Sequence, residues 1–109
     1  MKLQDIIEKL SLKALTNVED KDVQGVFISD MLSDVMSVAQ AGNLWLTVQT
    51  HKNIVSAANL IDVGAVIVTH NKKLNEDTIN LANRFHVAIF STSDTTYEMT
   101  RKLIEIGME

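Results

Sequence analysis

Three short polar stretches hold most of the side chains able to bind or transform a ligand: Thr47, Gln49, Thr50, His51 and Asn53; then Thr69, His70 and Asn71; then Ser91, Thr92, Ser93 and Asp94. Each follows an apolar run and precedes helical spacing, the place where a buried parallel strand hands over to its helix. If the strands ending at Val48, Val68 and Phe90 lie side by side, these hydroxyls, amides and imidazoles collect on one rim. The helix N-termini at that rim carry free amides that favour an anion, and open α/β sheets bind ligands there. Thr47, Gln49, Thr50, His51, Asn53, Thr69, His70, Ser91, Thr92 and Asp94 therefore form a candidate site for a nucleotide or phosphorylated metabolite. Ser, Thr, Asn and Asp also cap helices with no ligand present, and the sequence leaves both readings standing.

Other chemistries find less support. His51 and His70 follow strands at the same edge and, with Asp30 or Asp94, could hold a metal, but His86 lies in a helix-to-strand turn at the opposite edge. No H-x-x-x-H or paired spacing is present, so no metal site is expected. His51 at a helix start would suit a general base, yet no nucleophile or oxyanion motif accompanies it. Asp30 and Asp34, four apart on one side of a helix, are an exposed first turn more readily than a carboxylate pair. Neither G-x-G-x-x-G nor G-x-x-x-x-G-K-[ST] occurs. The expectation is a chain without catalytic residues and without a cofactor.

The elements needed to position the rim fit one domain spanning residues 1–109, a size that buries roughly two thirds of its unfolded surface. Hydrophobic residues are 46% and charged residues 22%, which argues against disorder. A net charge of −4 without a basic run argues against nucleic acid. No apolar run approaches the roughly 18 residues of a membrane span. Cysteine is absent, consistent with a reducing compartment, and the expected location is cytoplasmic.

Leu3, Ile6, Ile7 and Leu10 have the spacing of a short helix. Leu12 to Thr16 reads as an edge strand and Val23 to Ile28 as a second strand, with Gly25 marking a bulge or close backbone approach. Ser29-Asp30 reads as an N-cap before a helix with Leu32, Val35, Met36 and Ala39 inside. Strands Leu44 to Val48, Ala65 to Val68 and Val87 to Phe90 follow. Their helices carry Ile54, Ala57, Ala58 and Ile61, then Asn75 as cap with Ile79, Ala82 and Phe85 inside, and finally the C-terminal segment. Gly42, Gly64 and Gly107 are read as left-handed helix stops. Strand-then-helix units imply right-handed crossovers. The predicted class is α/β: a three-layer α/β/α sandwich with a mostly parallel sheet of four to five strands whose helices cover both faces. Trp45 is expected in the core, and Tyr97 faces either the crevice or the core. Met31, Met36, Met99 and Met108 suit a surface that repacks against a partner, though methionine also fills cores, and the Ser29 to Ala39 helix with its preceding strand is expected to contribute to a homodimer interface.

The run Asp22-Val23-Gln24-Gly25-Val26-Phe27-Ile28-Ser29-Asp30-Met31-Leu32-Ser33-Asp34-Val35-Met36 resembles the signature region of the DRTGG domain family. Thr47-Val48-Gln49-Thr50-His51 followed by Asn53-Ile54-Val55 looks like the same family's next segment. Asp22 and Gly25 stand for the motif's aspartate and first glycine; the arginine is missing and Val26 replaces the second glycine. The motif positions carried over are Asp22, Gly25, Ser29 and Asp30. The resemblance implies a fold like the N-terminal domain of HPr kinase/phosphorylase, without its catalytic part. It also implies a regulatory or subunit-association module of the kind found within phosphotransacetylases and between the CBS domains of regulatory pyrophosphatases. A homodimer that docks to an enzyme or signalling partner, or senses a nucleotide-like ligand, follows from it.

Overall fold

The apolar runs become strands and the amphipathic stretches become helices. In chain order they are α1 (Leu3–Leu10), β1 (Lys13–Ala14), β2 (Val26–Ile28), α2 (Leu32–Val38), β3 (Leu44–Thr47), α3 (Asn53–Ile61), β4 (Ala65–Val68), α4 (Glu76–Arg84), β5 (Ile89–Ser91) and α5 (Thr96–Glu105). The computed structural model describes every residue from Met1 to Glu109. β3 and β4 are buried at every position. A strand covered on both faces has no solvent side, which is why these two read as continuous apolar runs and not as alternation.

The strands form one five-stranded sheet in the order β1-β5-β4-β3-β2. β2 to β5 are parallel and sit in sequence order, while β1 runs antiparallel to β5 with Lys13 opposite Ser91. Strands stepping in one direction through right-handed crossovers put all three crossover helices on one face. Accordingly Val35 of α2, Ile54, Val55, Ala57 and Ala58 of α3 and Ala82 of α4 pack with Trp45, Val66, Val68 and Ile89. On the other face Leu3 and Ile6 of α1 and Met99 and Leu103 of α5 cover Leu44, Leu46, Ala65, Ile67 and Phe90. The three-layer sandwich is present, but the crossovers supply only one of its helical layers. The first and last helices supply the second.

That division locates the switch point of the sheet. The chain leaving β4 turns to α4 on one face, and the chain leaving the adjacent β5 turns to α5 on the other, so the carboxyl ends of β4 and β5 flank the crevice where ligands of open sheets sit.

Several local expectations are corrected. Ser29-Asp30 does not cap α2: the N-cap position is Met31, with no side-chain cap bond. The Ser29 hydroxyl instead accepts from the Met31 amide at 3.1 Å. α2 stops at Val38 because Ala39 turns extended, at φ −61° and ψ 151°, so Gly42 belongs to the turn into β3. α3 ends on left-handed Asp62, at φ 61°, and Gly64 serves a different need. A Cβ there would lie 2.9 Å from the Gly42 carbonyl oxygen and closer still to Val23 Cγ1. Gly25 precedes β2 with φ +75°, and a Cβ there would meet Asn43 Nδ2 at 2.8 Å. Phe85 is 43% exposed because it falls at the C-cap of α4, while Thr78 and Ala82 form the buried face. The methionines divide: Met99 and Met108 are core, whereas Met31 and Met36 are exposed.

Candidate functional site

The strand tails do gather at the carboxyl rim, and most of their polar groups are bonded to one another. At the β2–β3 corner Asp30 is the hub. Its Oδ1 accepts from Thr47 Oγ1 at 2.8 Å and from the Val48 amide at 2.9 Å, and its carbonyl accepts from Gln49 Nε2 at 3.2 Å. Thr47 is 1% exposed, and its hydroxyl also accepts from the Gln49 amide at 3.1 Å. A buried hydroxyl must find partners, so Asp30 faces β3 and forms no carboxylate pair with Asp34 on the helix. Nearby, Trp45 is fully buried and its Nε1 donates to the Ser29 carbonyl at 2.8 Å. This satisfies the one polar atom of the largest core side chain. His51 Nδ1 accepts from the Asn53 amide at 3.1 Å, acting as a local cap at the start of α3.

At the β4–β5 corner the crevice is crossed by the chain's own bonds. His70 and Asn71 are left-handed, at φ 64° and 55°, a conformation that turns the loop across β5. Their amides donate to the Asp94 carbonyl at 2.8 Å and the Thr92 carbonyl at 2.9 Å. His70 Nε2 accepts from the Thr96 amide at 3.2 Å, and the Thr69 and Thr96 hydroxyls meet at 2.7 Å. The imidazole thus takes the place at the α5 N-terminus that a ligand anion would occupy. Thr92 Oγ1 accepts from the Asp94 amide at 3.1 Å, and the Asp94 carboxylate pairs with Lys102 at 2.7 Å.

α5 itself begins at Thr95. The Thr95 hydroxyl accepts from the Glu98 amide at 3.1 Å, and Glu98 Oε1 accepts from the Thr95 amide at 3.0 Å, a reciprocal capping box. The backbone and hydroxyl hydrogen bonds with Thr95 hold the Glu98 carboxyl below its usual range. The sequence carries this signal as the T-x-x-E spacing of Thr95 and Glu98, just after the last of the candidate rim residues.

The remaining residues sit apart from these corners. His86, left-handed at φ 58° in the α4–β5 turn, lies 3.4 Å from Glu19. No three His, Asp or Glu side chains converge. Tyr97 is 78% exposed and faces neither crevice nor core. In the motif region Asp22 pairs with Lys2 at 3.3 Å on the surface. Next to Gly25, Asn43 Nδ2 donates to the Gln24 carbonyl at 2.8 Å, a bond that a side chain at residue 25 would displace. Val23, beside Asp22, is 1% exposed and packs over Gly64.

The profile of the DRTGG domain family matches residues 5–106, and the chain belongs to that family. The family is one of regulatory domains. Among solved structures, the chain is similar to the CBS and DRTGG domains of the regulatory region of Clostridium perfringens pyrophosphatase, crystallised with its activator diadenosine tetraphosphate. The TM-score is 0.72 at 17% identity, covering 94% of this chain and 45% of that one. This chain therefore spans less than half of that regulatory region, and the likeness is one of fold. None of the curated proteins matches significantly. No helix is long and apolar enough to cross a membrane.

Proposed function

We propose that this chain is a single non-catalytic regulatory domain of the cytoplasm that pairs with a second copy through its β2–α2 edge and modulates a partner enzyme or signalling protein. The observation that carries this is the composition of that edge. β2 bonds to β3 alone, leaving its outer backbone groups open to a further chain. Ile28, Met31, Met36 and Val38 along the same β2–α2 unit are each between 47% and 60% exposed. Twofold dimers are the commonest oligomers and bury the same patch of both subunits, and methionines adapt to such a neighbour. Light scattering on the chain should give a dimer mass, and Met36→Glu with Val38→Glu should give a folded monomer whose melting temperature, unlike the parent's, does not depend on concentration. A monomeric parent at high concentration removes the proposal.

A second reading is sensing of a nucleotide or phosphorylated metabolite at the carboxyl rim. It is favoured by the similar pyrophosphatase region, which was crystallised with a nucleotide activator. The switch-point location at β4 and β5 also favours it. A thermal-shift panel of nucleotides and sugar phosphates tests it, and no shift from any of them would sink it.

A further inference from the structure

We propose that the corner formed by β1, the end of β5 and the β4–α4 loop binds a phosphate-bearing small molecule. A cavity of about 200 Å³ opens there, and Lys13, Lys72 and Lys73 line it with no carboxylate among the lining residues. Three of the ten basic side chains of a chain with net charge −4 thus surround one hollow. None of the three belongs to any of the protein's ion pairs, which use Lys2, His86, Arg101 and Lys102.

The placement follows from the fold. Antiparallel pairing sets Lys13 directly opposite Ser91, and the left-handed pair His70 and Asn71 swings the loop carrying Lys72 and Lys73 over the same strand end. Polar groups here are unspent, as are the Thr50, Asn53 and Ser93 side chains elsewhere on the rim, and it is the three lysines that set this corner apart. Asn71 and Ser91 also line the cavity, and their side chains make no hydrogen bond within the protein. The backbone amides of Lys72, Lys73 and Leu74 donate to no protein acceptor. Leu15, Leu74 and Ile79 supply an apolar wall.

Ammonium groups and free amides suit a multiply charged oxyanion, and the wall suits a short organic remainder. The volume lies below the roughly 300–1,000 Å³ of sites that enclose a whole drug-sized ligand. The site therefore takes a compact phosphorylated metabolite, or one phosphoryl end of something larger.

This inference rests on the sensing reading but moves the contact residues away from Gln49 to Asn53, so the test separates the two. Pyrophosphate is titrated into the full chain by calorimetry and by amide NMR, alongside Lys13→Ala, the double variant Lys72→Ala with Lys73→Ala, and a Gln49→Ala control. The substituted lysines are exposed, and thermal melts verify that each variant is folded. Shifts confined to residues 71–74 and 91, with affinity falling about tenfold per lysine removed and unchanged in the control, are expected. Shifts at 49–53 that ignore the lysine variants would overturn this site and leave the sensing reading intact. No binding of pyrophosphate would overturn this site, while the sensing reading stands or falls on its own panel of nucleotides and sugar phosphates. Sulfate or malonate binding as tightly as pyrophosphate would reduce the corner to a generic cationic patch and overturn the assignment.

Discussion

At one end of the sheet the outermost strand, β2, is parallel to its neighbour and bordered by exposed Ile28, Met31, Met36 and Val38. At the other end β5 is covered by antiparallel β1, whose Lys13 faces Ser91 beside a lysine-lined cavity. Two edges of one sheet have thus been finished with opposite chemistry. The rims above them differ in the same way. Near β2, Asp30 is a single hub that takes the buried Thr47 hydroxyl and the Val48 amide. Near β5, the crevice is crossed by several contacts shared among Thr69, His70, Asn71, Thr92, Asp94 and Thr96. A hub fails when one residue is lost, whereas a distributed set of bonds loses only a part. The end proposed to meet another copy gathers its rim donors on one carboxylate, and the end proposed to meet a ligand gathers three lysines around a cavity.

Substitutions can break this contrast at different depths. The largest effect is expected at the frame both ends share, where Gly64 meets Val23 and the Gly42 carbonyl. Gly64→Ala should cost about 3 kcal/mol, the upper part of the overpacking range. Adding Val23→Ala should recover only part of that, since the Gly42 carbonyl still crowds the new methyl. Denaturant midpoints of the two variants check it, and a neutral Gly64→Ala would show that the close approach is not a constraint.

Asp30→Ala comes next, at about 2 kcal/mol, because it strands a hydroxyl inside the protein and an amide at once. His70→Ala removes one acceptor at the start of α5 and should cost about 1 kcal/mol, a typical cap value. If urea unfolding ranked these two in the reverse order, the description of hub against distributed bonding would be wrong. Hydrogen exchange sharpens it further: Asp30→Ala should accelerate amides across β3, while His70→Ala should accelerate only those of the first turn of α5.

The smallest effect concerns pH. Folding holds the Glu98 carboxyl below its ordinary value through the Thr95 hydrogen bonds. A group depressed in the folded state binds fewer protons there than in the unfolded chain. Its contribution is therefore complete above the unfolded pKa and disappears as pH falls through the folded one. Glu98→Gln can keep the capping geometry without the charge. Melting temperatures of parent and variant should therefore differ at neutral pH and converge on acidification. A gap that stays constant would show that the ionised form is not what the cap prefers.

Much of the fold was legible in local pattern. The strands read at Leu44 to Val48 and Ala65 to Val68, the Asn75 cap and the left-handed Gly107 after α5 each depend on a few neighbouring residues. The motif from Asp22 onward identified the family that the profile match establishes. Phe85 was misjudged because helical spacing says nothing about where a helix ends. Gly64 was misjudged because a close approach to Val23 involves a residue far away in sequence.

Residue types and their periods determined which segments become strands of a mostly parallel sheet and which polar groups follow them at its carboxyl rim, since burial on two faces and strand-to-helix handover are local consequences of composition. Strand order, the sharing of faces between the crossover helices and the terminal helices, and the fate of each rim side chain were decided only in three dimensions. Whether His70 meets a ligand or the Thr96 amide, and whether Lys13 meets Lys72 and Lys73 around one cavity, depends on contacts between residues far apart along the chain. No spacing rule encodes such contacts, because they form only where β4, β5 and β1 lie side by side.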